Sequence, residues 1–268
     1  MAIFYDTHAH LDSAKFAEDL PKVIGRAQNA GISKIVAIAT DLESSERALQ
    51  IAERFPSVLA AIGCHPSDIE KAPEDIRPAL RELGRHPKVV ALGETGLDYH
   101  WFPRESTAAD IQRVKARQIE LFRQHLEVGA ELGLNCVIHQ RDSLEDCLAV
   151  FEPYAERVRG VFHCFADDAT TMRRILALGS IVSFTGIVTF KNGQNIRDTL
   201  AAAPMGQFML ETDSPYLAPV PYRGKRCEPA FVKETAETTA QVKACSLEEL
   251  SRATCEAAET FFKGLSGR

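Results

Sequence analysis

Histidines and carboxylates recur in this chain at the ends of six of its eight short apolar runs. Asp6, His8 and His10 follow residues 2–5, His65 follows 58–63, and Glu94 follows 89–93. His139 follows 134–138, His163 follows Gly160–Phe162, and Glu211 and Asp213 follow 207–210. Side chains two apart in an extended segment point to the same side, so His8 and His10 can grip one ion. Neutral imidazole suits zinc, copper, iron and nickel, while carboxylates also admit magnesium and manganese. Glu94 and Asp213 close apolar runs. A lone carboxylate is costly there unless a metal, or a neighbouring arginine or lysine, neutralises it. His8, His10, Glu94, His139, His163 and Asp213 are too many ligands for one tetrahedral ion and enough for two. Two ions sharing a water are a standard hydrolytic device. They acidify that water and clamp the attacking and leaving oxygens.

Any one of these residues is more often structural than a ligand. Together they make a site only in a fold that gathers many strand ends. The apolar runs predict eight strands, at 2–5, 34–40, 58–63, 89–93, 134–138, 160–162, 180–184 and 207–210. Their continuous Val/Ile/Leu/Ala character suits parallel strands buried on both faces. Helical stretches are expected at 20–30, 44–55, 107–132, 144–154, 170–178 and 246–264. Gly31 supplies a stop signal for the first, and Thr107-Ala108-Ala109-Asp110 reads as a capping box for the third. Strand-then-helix repeated eight times in 268 residues predicts an α/β fold, a TIM-type (β/α)8 barrel. An open doubly wound sheet is the competitor. No linker or composition break divides the chain, so residues 1–268 are expected to form a single domain. Active sites of such barrels lie at the C-terminal ends of the strands, where the histidines and carboxylates fall.

With 45% hydrophobic and 25% charged residues the chain is neither disordered, collagenous nor a disulfide mini-protein. Its net charge of −6 argues against holding nucleic acid on a broad basic surface, though not against a local basic rim. The seven cysteines form no CxxC pair, and several sit in apolar runs, as Cys136 does. That pattern predicts a reduced, intracellular protein. Polar residues stand where a signal peptide would carry its apolar core. No apolar run approaches the ~20 residues of a membrane span. A cytoplasmic protein with no membrane partner is the expectation. Neither GxGxxG nor a P-loop occurs, so no nucleotide cofactor is expected, and no GxSxG elbow marks a serine nucleophile.

Past the eighth strand, Arg223, Lys225 and Arg226 follow Pro219-Val220-Pro221. They read as a phosphate clamp on a stiff loop, with Lys191 joining it, because arginine offers a two-pronged fork to phosphate oxygens. Tyr99, His100, Trp101 and Phe102 form an aromatic run after Glu94, where bases could stack. Asp12 reads as a cap or an outer partner, and Asp98 as a carboxylate orienting a ligand histidine.

These blocks in this order resemble the TatD family of metal-dependent deoxyribonucleases, within the amidohydrolase-like barrels. The likeness rests on Asp6-Thr7-His8-Ala9-His10-Leu11, Gly63-Cys64-His65-Pro66, Gly93-Glu94-Thr95-Gly96-Leu97-Asp98-Tyr99 and Val137-Ile138-His139. It continues through Gly160 to Phe165, Ser183 to Lys191, Leu210 to Pro219 and Arg223 to Pro229. The resemblance implies that His8, His10 and Asp213 hold one divalent ion, that His139 and His163 hold a second, and that Glu94 bridges both. Zinc, magnesium and manganese all remain open. It further implies that Asp213 takes the proton of the nucleophilic water and that His65 touches the scissile phosphate or supports the ligands. The implied substrate is DNA, at 3′ ends or as single strands, cut by an exonuclease or at abasic sites. Two positions depart from the family pattern: Cys227 stands where asparagine is usual, and Gln140 where serine or threonine is. The alternatives are a barrel hydrolase of a small amide, lactone or phosphoester, and a metal-binding scaffold without activity.

Overall fold

The computed structural model of the protein describes residues 2–100, 102 and 105–265. Eight strands alternate with helices: β1 (Phe4–Ala9), β2 (Ile32–Ile38), β3 (Val58–Ile62), β4 (Val89–Asp98), β5 (Asn135–Arg141), β6 (Gly160–Phe162), β7 (Ile181–Phe184) and β8 (Phe208–Leu210). They pair in parallel in sequence order, β1 to β8. The ring closes through an Ala9–Ser214 bridge, with His10 N donating to Ser214 O (2.8 Å) and Asp213 N to His8 O (2.9 Å). The architecture is a TIM-type (β/α)8 barrel.

Alternation along the strands divides the core in two. Ile35, Ala37, Val58, Ala60 and Ile62 belong to the larger cluster, packed with the helices. Val36, Ile38, Leu59, Ala61, Val137 and Met209 form the second, joined by Phe261, Phe262 and Leu265 from the end of the chain. Lys263 N donates to Val90 O near the start of β4 (3.3 Å), so this C-terminal segment covers the end where the strands begin. The opposite end stays open as a mouth.

The helices are α1 (Leu20–Asn29), α2 (Leu42–Arg54), α3 (Arg77–Leu83), α4 (Ala108–Leu132), α5 (Leu144–Phe151), α6 (Ala169–Ala177), α7 (Gln194–Ala202), α8 (Val232–Lys243) and α9 (Leu247–Phe261). The capping box of Thr107 and Asp110 starts α4, and Gly133 in the left-handed region ends it. Helices α3, α7 and α8 escape the sequence reading. The first is a single short piece opened by a proline, and α8 buries mainly threonine and alanine, which give little apolar signal. None of the described helices is long and apolar enough to cross a membrane.

Three strands run on past their expected ends, whereas β2 and β3 stop short of theirs. β1 is expected at 2–5 and runs to Ala9, β4 continues past Gly93 to Asp98, and β5 runs to Arg141. His8, Glu94 and His139 therefore lie inside strands rather than after them. Hydropathy ends a strand where polar residues begin, but here the polar side chains are themselves buried at the mouth. Gly96 shows how tightly that region is built. Its φ is +128°, and a Cβ there would lie 2.1 Å from His139 O on β5.

Candidate metal centre at the barrel mouth

Glu94 occupies the middle of the mouth with its side chain only 3% exposed. Its backbone is fixed by donation of Glu94 N to Ala39 O (2.9 Å). The two carboxylate oxygens face different partners. Oε2 lies 3.3 Å from His8 Nε2 and 3.6 Å from His10 Nε2. Oε1 lies 2.8 Å from His163 Nε2, 3.0 Å from His139 Nδ1 and 3.3 Å from His65 Nε2. Asp213 joins the first side, with Oδ1 3.6 Å from His8 Nε2 and 3.4 Å from His10 Nε2. The four histidines read as ligands in the sequence are thus gathered directly around the Glu94 carboxylate, Asp213 joins them through His8 and His10, and His65 completes the cluster.

What each ring presents follows from what its other nitrogen does. His10 donates Nδ1–H to Ile38 O (3.1 Å), leaving the Nε2 lone pair toward Glu94 and Asp213. His139 donates Nε2–H to Asp98 Oδ2 (3.1 Å), leaving Nδ1 toward Glu94 and His163. His65 is the reverse. Ser67 N donates to its Nδ1 (3.0 Å), so the neutral ring carries its proton on Nε2, the atom facing Glu94. His65 Nε2 falls within 4.8 Å of the donor atoms of Glu94 and His139. The Ser67 contact nevertheless makes it a hydrogen-bond donor to the site rather than a ligand. His8 and His163 stack at 4.0 Å, and the Nδ1 atoms of both are buried without hydrogen-bond partners among the described residues.

Charge in the cluster is strongly coupled. Burial pushes Glu94 up, yet the imidazoles of His163, His65, His8 and His139 outweigh it and hold its carboxyl well below the ordinary range. Asp213 behaves likewise: burial is overcome by His10, His8 and His163. Burial depresses His8 and His65, with His163 adding to the effect. It is outweighed at His10, which Asp213 and Glu94 push up to about 9, and at His163 and His139, which carboxylates raise. Ionised carboxylates amid converging imidazole nitrogens suit divalent cations. The groupings His8–His10–Asp213 and His8–Glu94–His163 each bring their donor atoms within 4.8 Å of one another. The residues present fit such a cofactor.

Sequence spacing leaves several supporting residues without a role. Glu211 is buried beside His163, its Oε1 3.5 Å from Nδ1, and accepts from Cys164 N (2.7 Å) and Ser183 Oγ (2.7 Å). Asp6 accepts from Thr212 N (2.9 Å), Thr212 Oγ1 (2.6 Å) and His8 N (3.3 Å), tying β1 to the segment that carries Asp213. From α4, Gln118 donates to Pro66 O (3.1 Å) and Asp98 O (3.0 Å) and accepts from Asp98 N (3.0 Å). His125, also on α4, accepts from Cys64 N (3.0 Å). A glutamine or histidine on the buried face of a long helix is the available signal, since such side chains need partners.

The expected substrate contacts separate. Arg223 is exposed, with its guanidinium 3.7 Å above the Phe190 ring and one N–H donated to Ala218 O (3.0 Å). Lys191 is exposed as well. Arg226 corrects the clamp reading. Its guanidinium donates to Asp19 (2.8 and 2.9 Å), Glu228 Oε1 (2.8 Å) and Lys15 O (2.6 Å), so it braces loops instead of presenting a fork. Tyr99 is half-buried; its hydroxyl donates to Asp146 (2.9 Å) and Lys115 Nζ lies 4.0 Å over its ring. Trp101 lies outside the described residues. Asp12 accepts from Arg47 (3.1 Å), and Asp98 orients His139 as above. Cys227 is buried, its N donating to Pro215 O (3.2 Å). Gln140, with its amide turned to suit its neighbours, donates to Asp167 Oδ2 (3.0 Å) and accepts from Leu144 N (3.0 Å) at the start of α5.

A family model described as TatD related DNase matches residues 5–263. An uncharacterized metal-dependent hydrolase of Bacillus subtilis, YabD, is 38% identical over 97% of this chain and 99% of its own length. One from Escherichia coli, YcfH, is 37% identical over 94% and 92%. Among solved structures, the Escherichia coli TatD homolog YjjV superposes with a TM-score of 0.88 at 28% identity, covering 97% of each chain.

Proposed function

The chain belongs to the TatD family of metal-dependent hydrolases, and from that premise we propose that it cleaves phosphodiester bonds of DNA, as an exonuclease acting at 3′ ends or on single strands. The observation that carries the reading is the division of Glu94, one oxygen toward His8 and His10, the other toward His139 and His163. Two divalent cations are the occupancy that this division supports: His8, His10 and Asp213 would hold one, His139 and His163 the other, and Glu94 would serve each. Bound there, such ions supply Lewis acidity to a water and to the phosphate oxygens.

The chain's own groups do the rest. Asp213, kept ionised by its imidazole neighbours, is the base that receives the proton of the attacking water. His65 presents Nε2–H to the scissile phosphate or the departing oxygen. Asp98 and Ile38 O fix which nitrogens of His139 and His10 face inward. Arg223 and Lys191 supply positive charge at the rim, where a phosphate backbone enters. The seven cysteines are all unpaired, which accords with a cytoplasmic site of action.

End-labelled single- and double-stranded DNA, incubated with the protein and zinc, magnesium or manganese, tests this reading. A product ladder is expected with at least one metal and none after chelation. Glu94→Gln should lower both bound metal and cleavage by more than the ~10–100-fold that loss of an outer partner costs. Cleavage by the chelated protein at the full rate would overturn it, as would a Glu94→Gln variant unchanged in metal content. Intact DNA beside hydrolysis of a small amide, lactone or phosphoester would replace the substrate class and keep the centre.

A further inference from the structure

Among the described residues the mouth contains one large aromatic ring whose exposure nothing above explains. Tyr216 is 53% exposed. Its N donates to Asp213 O (2.9 Å), which places the ring three residues beyond a donor of the centre, 6.2 Å from the His10 ring. The backbone beneath is pinned, because Cys227 N donates to the carbonyl of the preceding Pro215. A cavity of about 390 Å³ adjoins the ring; Tyr216, Leu217 and Ile187 form an apolar wall, and His139, His163 and Asp213 lie on its polar side. Apolar surface left open beside a polar reaction centre marks a place where a ligand's apolar part sits.

We propose that Tyr216 is the platform on which a nucleobase of the substrate strand stacks while its phosphodiester lies at the Glu94 cluster. This rests on the phosphodiesterase reading and adds the element of the substrate that it leaves unassigned. A nucleotide matches both features of the rim. Its flat ring covers the face of Tyr216 opposite Lys15, and its phosphate answers the cation of that exposed lysine, whose Nζ lies over the ring, 5.1 Å from its centroid. The aromatic run after β4 serves this purpose less well, because the Tyr99 hydroxyl is tied to Asp146 and its ring is half-buried. Stacking on one face reads no base edge, so the subsite tolerates every base.

The test pairs protein variants with substrates that lack one base. Single-stranded oligonucleotides carrying one abasic residue, placed in turn at each position around the cleaved bond, are compared with the intact strand. Cleavage is measured with the metal-loaded protein, and binding by fluorescence anisotropy with the same loaded protein on phosphorothioate-linked strands that resist hydrolysis. Tyr216→Ala should weaken intact-strand binding about tenfold and lower kcat/KM to match, with the bound metal and melting temperature unchanged. At one abasic position that variant should differ from the parent by less than about twofold. Tyr216→Phe should restore parent behaviour, since the ring and not the hydroxyl does the stacking. An equal penalty at every abasic position overturns the proposal, and so does parent-like behaviour of Tyr216→Ala on the intact strand. If the parent protein cleaves DNA in those cases, the phosphodiesterase reading survives alone. If the parent neither binds nor cleaves any strand, both fall.

Discussion

The chemistry of this mouth depends on which nitrogen of each ring faces inward. A histidine offers a lone pair from one nitrogen only while the other keeps its proton. Ile38 O and Asp98 hold that proton for His10 and His139, and Ser67 N claims the opposite nitrogen of His65. Rings of one residue type therefore serve two purposes, and for these three, neighbours outside the centre make the distinction. Asp98→Ala removes the acceptor for His139 Nε2–H. The expected result is a ~10–100-fold loss of metal affinity, with a smaller loss for Asp98→Asn, read by titration against a competing chelator. Unchanged affinity in Asp98→Ala would show that His139 needs no orienting partner.

Elements place these side chains where a loop would leave them loose. β1, β4 and β5 carry His8, Glu94 and His139 inside hydrogen-bonded ladders, and α4 braces the backbone beside His65 and at the end of β4 through Gln118 and His125. The basic loop between Pro219 and Arg226 is fixed differently, by Arg226 bonding to Asp19, Glu228 and the Lys15 carbonyl. The two arginines should thus respond differently to removal. Arg223→Ala is expected to raise KM for DNA and to shallow its salt dependence by about one unit of slope, at unchanged melting temperature. Arg226→Ala should lower the melting temperature by about 2–4 °C, the equivalent of ~1 kcal/mol from a partly exposed ion-pair network. Thermal melts and salt series on both variants decide the matter. Exchange of the two outcomes would return Arg226 to the phosphate clamp and make Arg223 the brace.

At the scale of the whole molecule, stability is linked to pH through a histidine away from the centre. Burial pushes His125 down to about 4 from its ordinary 6.5. Its Nε2 accepts from Cys64 N and its Nδ1 lies 2.7 Å from Leu121 O, so the ring is held neutral. Because the folded pKa is depressed, the unfolded chain binds the proton first. The neutral ring's contribution is fully present above pH 6.5. It is lost as pH falls toward 4, by up to about 3 kcal/mol. Urea midpoints should fall between pH 7 and 4.5 more steeply for the parent than for His125→Gln, and the His125 NMR resonances should titrate near 4. Titration near 6.5 would remove this linkage. The net charge of −6 is no obstacle to an anionic substrate at this scale. Under the proposed function, the positive charge for a phosphate would be local, in the rim residues and in the ions the cluster suits.

The sequence by itself determined the fold class and the residues of the centre. Both follow from local signals: apolar runs of strand length, helical stretches between them, and histidines or carboxylates where six of the eight runs end. Strand ends and three helices were less legible, because buried polar residues and a threonine–alanine face resemble loops to any reading by hydropathy. Only the tertiary structure decided which oxygen of Glu94 meets which ring, which nitrogen of His65 carries the proton, and that Arg226 is engaged while Tyr216 is exposed. Such properties depend on partners distant in the chain, as Arg226 is from Asp19 and His139 from Glu94. No local pattern encodes a contact that exists only when the barrel closes.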